Sequence, residues 1–220
     1  MITHLLFDLD NTLYSARYGL EKNVVERLEK FVSDYLNISQ AESRQIHHDI
    51  INKYGYGTTI EWLIDKKKFT NIESYYRAIY PEGEADSLSP DPELGNFLAS
   101  IPLPKAILTN SIQKHVDHIL DKLEVKNRFN YIFDIRFNNF KGKPHADAFF
   151  GALKAMAAKP ETTLFVDDTP KYVDGYVKIG GKALLFDEFD QYASFPYERI
   201  MNLREIKIFL ELTAQKEAFT

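Results

Sequence analysis

The stretch FDLDNTLY, Phe7 to Tyr14, closes an apolar opening segment, MITHLL, that reads as a strand running into a protein interior. Two carboxylates, Asp8 and Asp10, stand with only Leu9 between them where that strand runs out. Ionised acids this close repel each other and are costly to bury unless something compensates. What supplies that compensation decides both the fold and the chemistry.

Four more short apolar segments end in polar residues: KAILTNS from Lys105, YIFDIRF from Tyr131, TTLFVDDT from Thr162 and KALLFDE from Lys182. Runs this apolar suit strands buried on both faces, as in a parallel sheet. Helical patterns lie between them, in HVDHILDKL, in ADAFFGALKAMAA and after Pro170. Strand and helix alternate from about residue 91 to 187, which predicts right-handed βαβ units and a doubly wound α/β sheet. Asp91, after Pro90, is placed to cap the helix holding LGNFLAS.

Residues 15–89 do not alternate. VVERLEKFVSDYL, RQIHHDIINKY, TIEWLIDKKK and IESYYRAIY carry helical spacing, and the turn-rich PEGEADSLSPDP follows. The expected organisation is a core of residues 1–14 and 90–220, with a helical cap of residues 15–89 inserted after the first strand. The tail, IMNLREIKIFLELTAQKEAF, reads as a closing helix with a frayed polar end.

Of the 220 residues, 45% are hydrophobic, enough for a substantial core, and 27% are charged, as in soluble proteins. The net charge of -5 and the lack of a long basic run argue against nucleic acid as the main partner. No cysteine is present, which excludes disulfides and thiol chemistry. MITHLLFDL turns acidic too early for a signal peptide, and no apolar run has membrane-spanning length. A soluble cytoplasmic protein without a membrane partner is expected.

Ligands of open parallel sheets bind beyond the carboxyl ends of the strands. There the sequence puts Asp8 and Asp10, then Thr109-Asn110-Ser111, then Asp167-Asp168, with Lys143 in the loop before ADAFFGAL. Carboxylates from two strand ends, with no His or Cys among them, suit magnesium better than zinc or copper. Thr109, Asn110 and Lys143 would hold the oxygens of a phosphoryl group, whose transfer needs positioning and charge neutralisation. In this reading Asp8 is the nucleophile that becomes an aspartyl phosphate. Asp10, its side chain turned from the metal, serves as general acid and base, and its backbone carbonyl completes the metal shell.

These residues resemble the haloacid dehalogenase-like hydrolase superfamily, whose four motifs appear in order as DLDNT, the Thr of AILTN, the Lys of GKP and the DD of FVDDT. The resemblance implies Asp8 as nucleophile, Asp10 as acid/base, Thr109 and Lys143 as phosphate ligands, and Asp167 with Asp168 completing the magnesium site. It also implies that the helical insert is a cap closing over that site. FDLDNTLY, YGTTIEWL, SPDPELGNFLASIPLPKAILTNS and FVDDTPKYVDG together resemble the pyrimidine 5'-nucleotidase-like subfamily. That implies a nucleoside 5'-monophosphate phosphatase, with Tyr56, Thr58 and Thr59 of the cap as substrate contacts.

Other outcomes of the same motifs are a phosphatase of a sugar phosphate or phosphoglycolate-like ester, a phosphomutase, or a non-enzymatic phosphoryl receiver. Receivers share acids, a Thr and a Lys on a doubly wound sheet, but Asp10 and an inserted cap favour turnover. Dehalogenases need neither Asp10 nor magnesium. The histidines, including His47, His48, His115 and His118, lack a metal-ligand pattern and read as satisfied or solvated. Tyr54, Tyr56 and Trp62 could stack on a base but suit the cap's own core better. Asp174 fits a helix surface at least as well as the metal site.

Overall fold

The computed structural model describes residues 1–218. Six parallel strands form one sheet in the order β3-β2-β1-β4-β5-β6. They are β1 (His4–Phe7), β2 (Lys105–Leu108), β3 (Tyr131–Phe133), β4 (Thr163–Asp167), β5 (Lys182–Phe186) and β6 (Arg199–Ile200). The five apolar segments of the sequence supply the first five; β6, two residues long, carries no readable pattern. YIFDIRF is strand only to Phe133, because the Asp134 carboxylate accepts the Phe137 N–H at 3.1 Å and starts a 3₁₀ turn.

Alternation along the strands covers both faces. Leu5, Phe7, Ile107, Leu164 and Val166 pack with α5 (Pro92–Ala99), α6 (Gln113–Leu123) and α9 (Glu205–Ala218). Leu6, Leu108, Phe165 and Leu185 pack on the other face with α7 (Ala146–Ala155) and α8 (Pro170–Lys178). Each large apolar side chain buried this way stabilises by about 1.5–3 kcal/mol. Asp91 caps α5 as expected, accepting the Leu94 N–H at 2.8 Å. The frayed end expected of the tail runs to Phe219, outside the described residues.

Between β1 and α5 lie α1 (Leu20–Leu36), α2 (Gln40–Asn52), α3 (Thr59–Lys67) and α4 (Ile72–Ile79). They share an apolar cluster of their own that includes Leu28, Val32, Ile50, Leu63, Tyr75 and Ile79. These four helices are a helical insertion after the first strand. Among the described residues, no helix is long and apolar enough to cross a membrane. The strand order reverses between β1 and β4, so the crevice at their carboxyl ends is where such a sheet binds ligands.

Candidate active site

Asp8 follows β1 directly, its N–H held by the Val166 carbonyl of β4 at 2.8 Å, so it sits at the reversal point. Asn11, three residues on, takes the left-handed conformation at φ 55, which asparagine tolerates better than most residues. The chain turns there, and the two acids of the opening motif part company.

Asp8 joins Asp167 and Asp168 from the end of β4; one carboxylate oxygen of each lies within 4.8 Å of the others. Lys143 reaches into this group from the loop before α7, 1% exposed, its Nζ 2.6 Å from both Asp8 Oδ1 and Asp167 Oδ2. The second oxygen of Asp167 accepts the Thr169 N–H at 2.8 Å. Burial, followed by the charges of Asp167 and Asp8, pushes the Asp168 carboxyl up to about 9. Burial likewise raises Asp8 and Asp167, and Lys143 offsets only part of it. Ionising all three acids together would leave two negative charges beyond what Lys143 offsets, which is why protons are held there in the absence of another cation. A hard dication bound by oxygens matches that deficit and donor set, so the residues present fit magnesium.

Asp10 is held elsewhere. Its Oδ1 accepts Tyr14 Oη at 2.6 Å and lies 2.7 Å from His115 Nε2, while its Oδ2 accepts Ser111 Oγ at 2.7 Å. Burial alone would raise this carboxyl, but His115, then Tyr14 and Ser111, bring it down to about 2. His115 is 1% exposed; burial opposes its charge, yet Asp10 and Glu84 raise it to about 10.

Thr109, at the end of β2, is buried, its Oγ1 accepting the Ser111 N–H at 3.0 Å. Asn110 does something the sequence did not suggest. Its side chain accepts the Lys143 N–H at 2.8 Å and donates to the Lys143 carbonyl at 3.0 Å and the Tyr172 hydroxyl at 3.1 Å. It clamps the lysine loop to β2, so its side-chain amide is engaged within the protein.

A cavity of roughly 150 Å³ joins these groups to the helical insertion. Thr58 and Thr59 line it, Thr58 also capping α3 by accepting the Glu61 N–H and Thr59 meeting His47 Nδ1 at 2.9 Å. Tyr56 is not among the cavity's lining residues, and its hydroxyl donates to the exposed Asp65. Tyr54 is 48% exposed and Trp62 packs in the insertion's apolar cluster, and neither lines the cavity. The aromatic wall comes from Tyr75, Tyr76 and Tyr80 instead. Asp174 pairs with Lys178 and accepts the Tyr197 hydroxyl, away from the acid cluster.

The residues missed from sequence are Tyr14, Ser111, His115 and Glu84 around Asp10. Ser111 and His115 are four apart, which puts them near one another at the start of a helix. That was the available signal.

Comparison with known proteins bears on the family and the fold. The family model for haloacid dehalogenase-like hydrolases matches residues 2–175. A glyceraldehyde 3-phosphate phosphatase from Methanocaldococcus jannaschii is 29% identical over 182 residues, 76% of this chain and 77% of that protein. Among solved structures, the L-2-haloacid dehalogenase from Xanthobacter autotrophicus is similar with a TM-score of 0.65 and 16% identity, covering 96% of this chain and 99% of that one. The HAD-hydrolase YfnB from Bacillus subtilis, bound to magnesium, gives a TM-score of 0.61 at 17% identity, covering 95% and 98%. These two likenesses concern the fold.

Proposed function

Because the chain belongs to the haloacid dehalogenase-like hydrolases, we propose that it is a magnesium-dependent phosphomonoesterase that passes the phosphoryl group through Asp8. The observation that carries this reading is the unequal holding of two acids two residues apart. Asp8 is fixed in the Lys143–Asp167–Asp168 cluster, and Asp10 is fixed outside it by Tyr14, Ser111 and His115.

One Asp8 oxygen attacks phosphorus, and the bond from phosphorus to the ester oxygen breaks as the aspartyl phosphate forms. Although its carboxyl is ionised in the resting site, Asp10 takes up a proton from solvent as the anionic ester binds nearby and gives it to the leaving oxygen. Water then attacks the phosphorus, Asp10 takes that water's proton, and phosphate leaves with Asp8 restored. Thr109, the Asn110 amide and Lys143 hold the phosphoryl oxygens in both halves. Asp8, Asp168, the Asp10 carbonyl and Asp167, directly or through water, would hold a magnesium ion, which would supply positive charge against the phosphoryl oxygens.

The substrate that fits best is a small phosphate ester of a few carbons. The cavity's roughly 150 Å³ is well under the ~300–1,000 Å³ usual for ligands of drug size, and a nucleoside monophosphate is of that size. The relative from Methanocaldococcus jannaschii, named for a triose phosphate, supports the same class. Nucleoside 5'-monophosphates are the second reading, favoured by the Tyr75, Tyr76 and Tyr80 wall and requiring a wider cavity.

Phosphate release across triose and glycerol phosphates, UMP, CMP and p-nitrophenyl phosphate, with and without magnesium, tests this. The expected result is turnover that needs magnesium, prefers the small esters and disappears in Asp8→Asn. Turnover retained in Asp8→Asn would overturn the mechanism. A clear preference for UMP and CMP would install the second reading.

A further inference from the structure

His115 is a buried ionisable side chain to which the steps above give no role. Its Nε2 lies 2.7 Å from Asp10 Oδ1, and its Nδ1 lies 2.5 Å from Glu84 Oε1. Both partners are carboxylates, so both ring nitrogens donate. The Glu84 side chain is 3% exposed, and Tyr80 stacks on the His115 ring with centroids 4.4 Å apart at 25°. The ring can neither rotate nor slide without breaking two charge-assisted bonds and a stacking contact.

The origin of these contacts adds to the argument. Tyr80 and Glu84 lie in the segment that returns from α4 to α5, that is, from the insertion to the sheet. The Tyr80 hydroxyl donates to Ser111 Oγ at 2.8 Å, and Ser111 donates to Asp10 Oδ2. Arg27 of α1 stands 3.7 Å from Glu84, and its Nε donates to the Ile79 carbonyl at 2.8 Å. Tyr14, in the outgoing segment, holds Asp10 Oδ1. Asp10 is thus gripped from both segments that join the insertion to the sheet, and His115 carries one of these chains, Glu84–His115–Asp10.

We infer that His115, fixed by Glu84 and Tyr80, is a positioning residue that aims the Asp10 carboxylate at the leaving oxygen, and that the returning segment thereby sets the geometry of acid/base catalysis. This rests on the phosphatase reading above. His115 touches no reacting atom. It acts through Asp10, holding the carboxylate plane against rotation toward the Asp8 cluster, where the carboxylate would be out of line with the ester oxygen. Positioning errors near 1 Å cost about 100-fold in rate, the size of effect such a device controls.

The test uses the full chain with two esters, glycerol phosphate as a poor leaving group and p-nitrophenyl phosphate as a good one. His115→Gln, which keeps a donor and much of the volume, and Glu84→Gln, which keeps His115 itself, are compared with Asp10→Asn. Both positioning variants are expected to lower kcat on glycerol phosphate about 30- to 100-fold with KM nearly unchanged. On p-nitrophenyl phosphate the first turnover, read as a p-nitrophenol burst, should fall far less, because that leaving group needs no proton. In the Asp10→Asn background, His115→Gln should then change kcat less than about twofold.

Equal losses on both esters in the first turnover, or full additivity with Asp10→Asn, would overturn the assignment. An inert wild-type protein would instead sink the phosphatase reading itself, so the two failures are distinct.

Discussion

Gly57 of the helical insertion rests on the lysine loop of the sheet so closely that a Cβ there would lie 2.7 Å from the Lys143 carbonyl oxygen and 2.9 Å from that of Gly142. Beside it, Glu61 accepts the Gly57 N–H at 2.9 Å and meets His145 Nε2 at 3.0 Å. Insertion and sheet are thereby latched next to the one lysine that holds Asp8.

Gly57→Ala is expected to unseat that latch. The methyl would meet backbone, which cannot swing aside, and overpacking of this kind costs about 1–3 kcal/mol. The cheapest relief is to lift the insertion off the loop, so the cost falls on closure over substrate. A drop in kcat/KM of about tenfold or more, with the melting temperature little changed, is the expected outcome in steady-state kinetics and calorimetry. Unaltered kinetics would show that the contact has no part in turnover.

The acid cluster makes a metal-dependent stability prediction. Burying and crowding Asp8, Asp167 and Asp168, which forces Asp168 to keep a proton, destabilises the fold until a dication binds. Magnesium at a hundred times its dissociation constant should stabilise by about 2.7 kcal/mol, a rise in melting temperature of about 5–10 °C for a chain of this size. Asp168→Asn should lose most of that rise and, by easing repulsion, melt higher than wild type in chelator. Lys143→Met should melt far lower in chelator, since an unpaired buried charge costs about 3–5 kcal/mol. A melting temperature indifferent to magnesium in all three proteins would contradict the charge argument.

How much of this was readable beforehand follows the range of the interactions. Strand ends and motif acids are local patterns, so Asp8, Thr109, Lys143 and the Asp167–Asp168 pair could be placed from sequence alone, as could the helical insertion. β6 could not, because Arg199 and Ile200 owe their strand to pairing with Leu185 and Phe186. Glu84 and His115 are 31 residues apart and meet only when the returning segment folds over α6. Tyr56 shows the complementary case: it is next to the site in sequence, but its hydroxyl is bonded to Asp65. The tyrosines that reach the cavity stand on α4 and just after it, where helical spacing alone reads as packing.

Acid should weaken the far edge of the sheet first. Asp187 follows β5, 3% exposed, and accepts the Gln191 N–H at 2.8 Å and the Tyr192 N–H at 2.9 Å while pairing with Arg199 of β6. Burial favours its neutral form, but the two amides and Arg199 prevail and hold the carboxyl below its usual range. The sign follows from proton counts: below about pH 4 the unfolded chain binds a proton at this site that the folded chain refuses, so stability falls with pH. The contribution is complete above the ordinary carboxylate value and fades as pH drops through the depressed one. Asp187→Asn should cost about 1–3 kcal/mol near neutrality, and in urea unfolding its gap to wild type should narrow from about pH 6 to about pH 3. A gap constant with pH would show that the charge is irrelevant.

The charge of the insertion-side wall predicts which small esters are refused. Among the described residues lining the cavity from the insertion, none is Lys or Arg; Glu21 and His47 are the polar groups of ionisable type. Burial holds His47 below its usual value, so it is neutral at pH 7. Burial, then the charges of Asp10 and Asp167, pushes the Glu21 carboxyl up to about 7. A second anion on the ester therefore meets a glutamate only partly ionised at pH 7, with no cation to receive it, and the repulsion grows as pH rises above 7. Glycerol phosphate and triose phosphates, whose second ends are hydroxyl or carbonyl, meet no such cost and can donate to the glutamate. Their kcat/KM should exceed that of phosphoglycolate, and by more at about pH 8, where Glu21 is ionised, than at about pH 6, where it is largely neutral. Glu21→Lys should narrow that ratio by raising activity on phosphoglycolate while leaving p-nitrophenyl phosphate turnover nearly as it was. If phosphoglycolate is already the better substrate of the wild-type enzyme, the wall does not select by charge and the far end of the substrate must lie outside it.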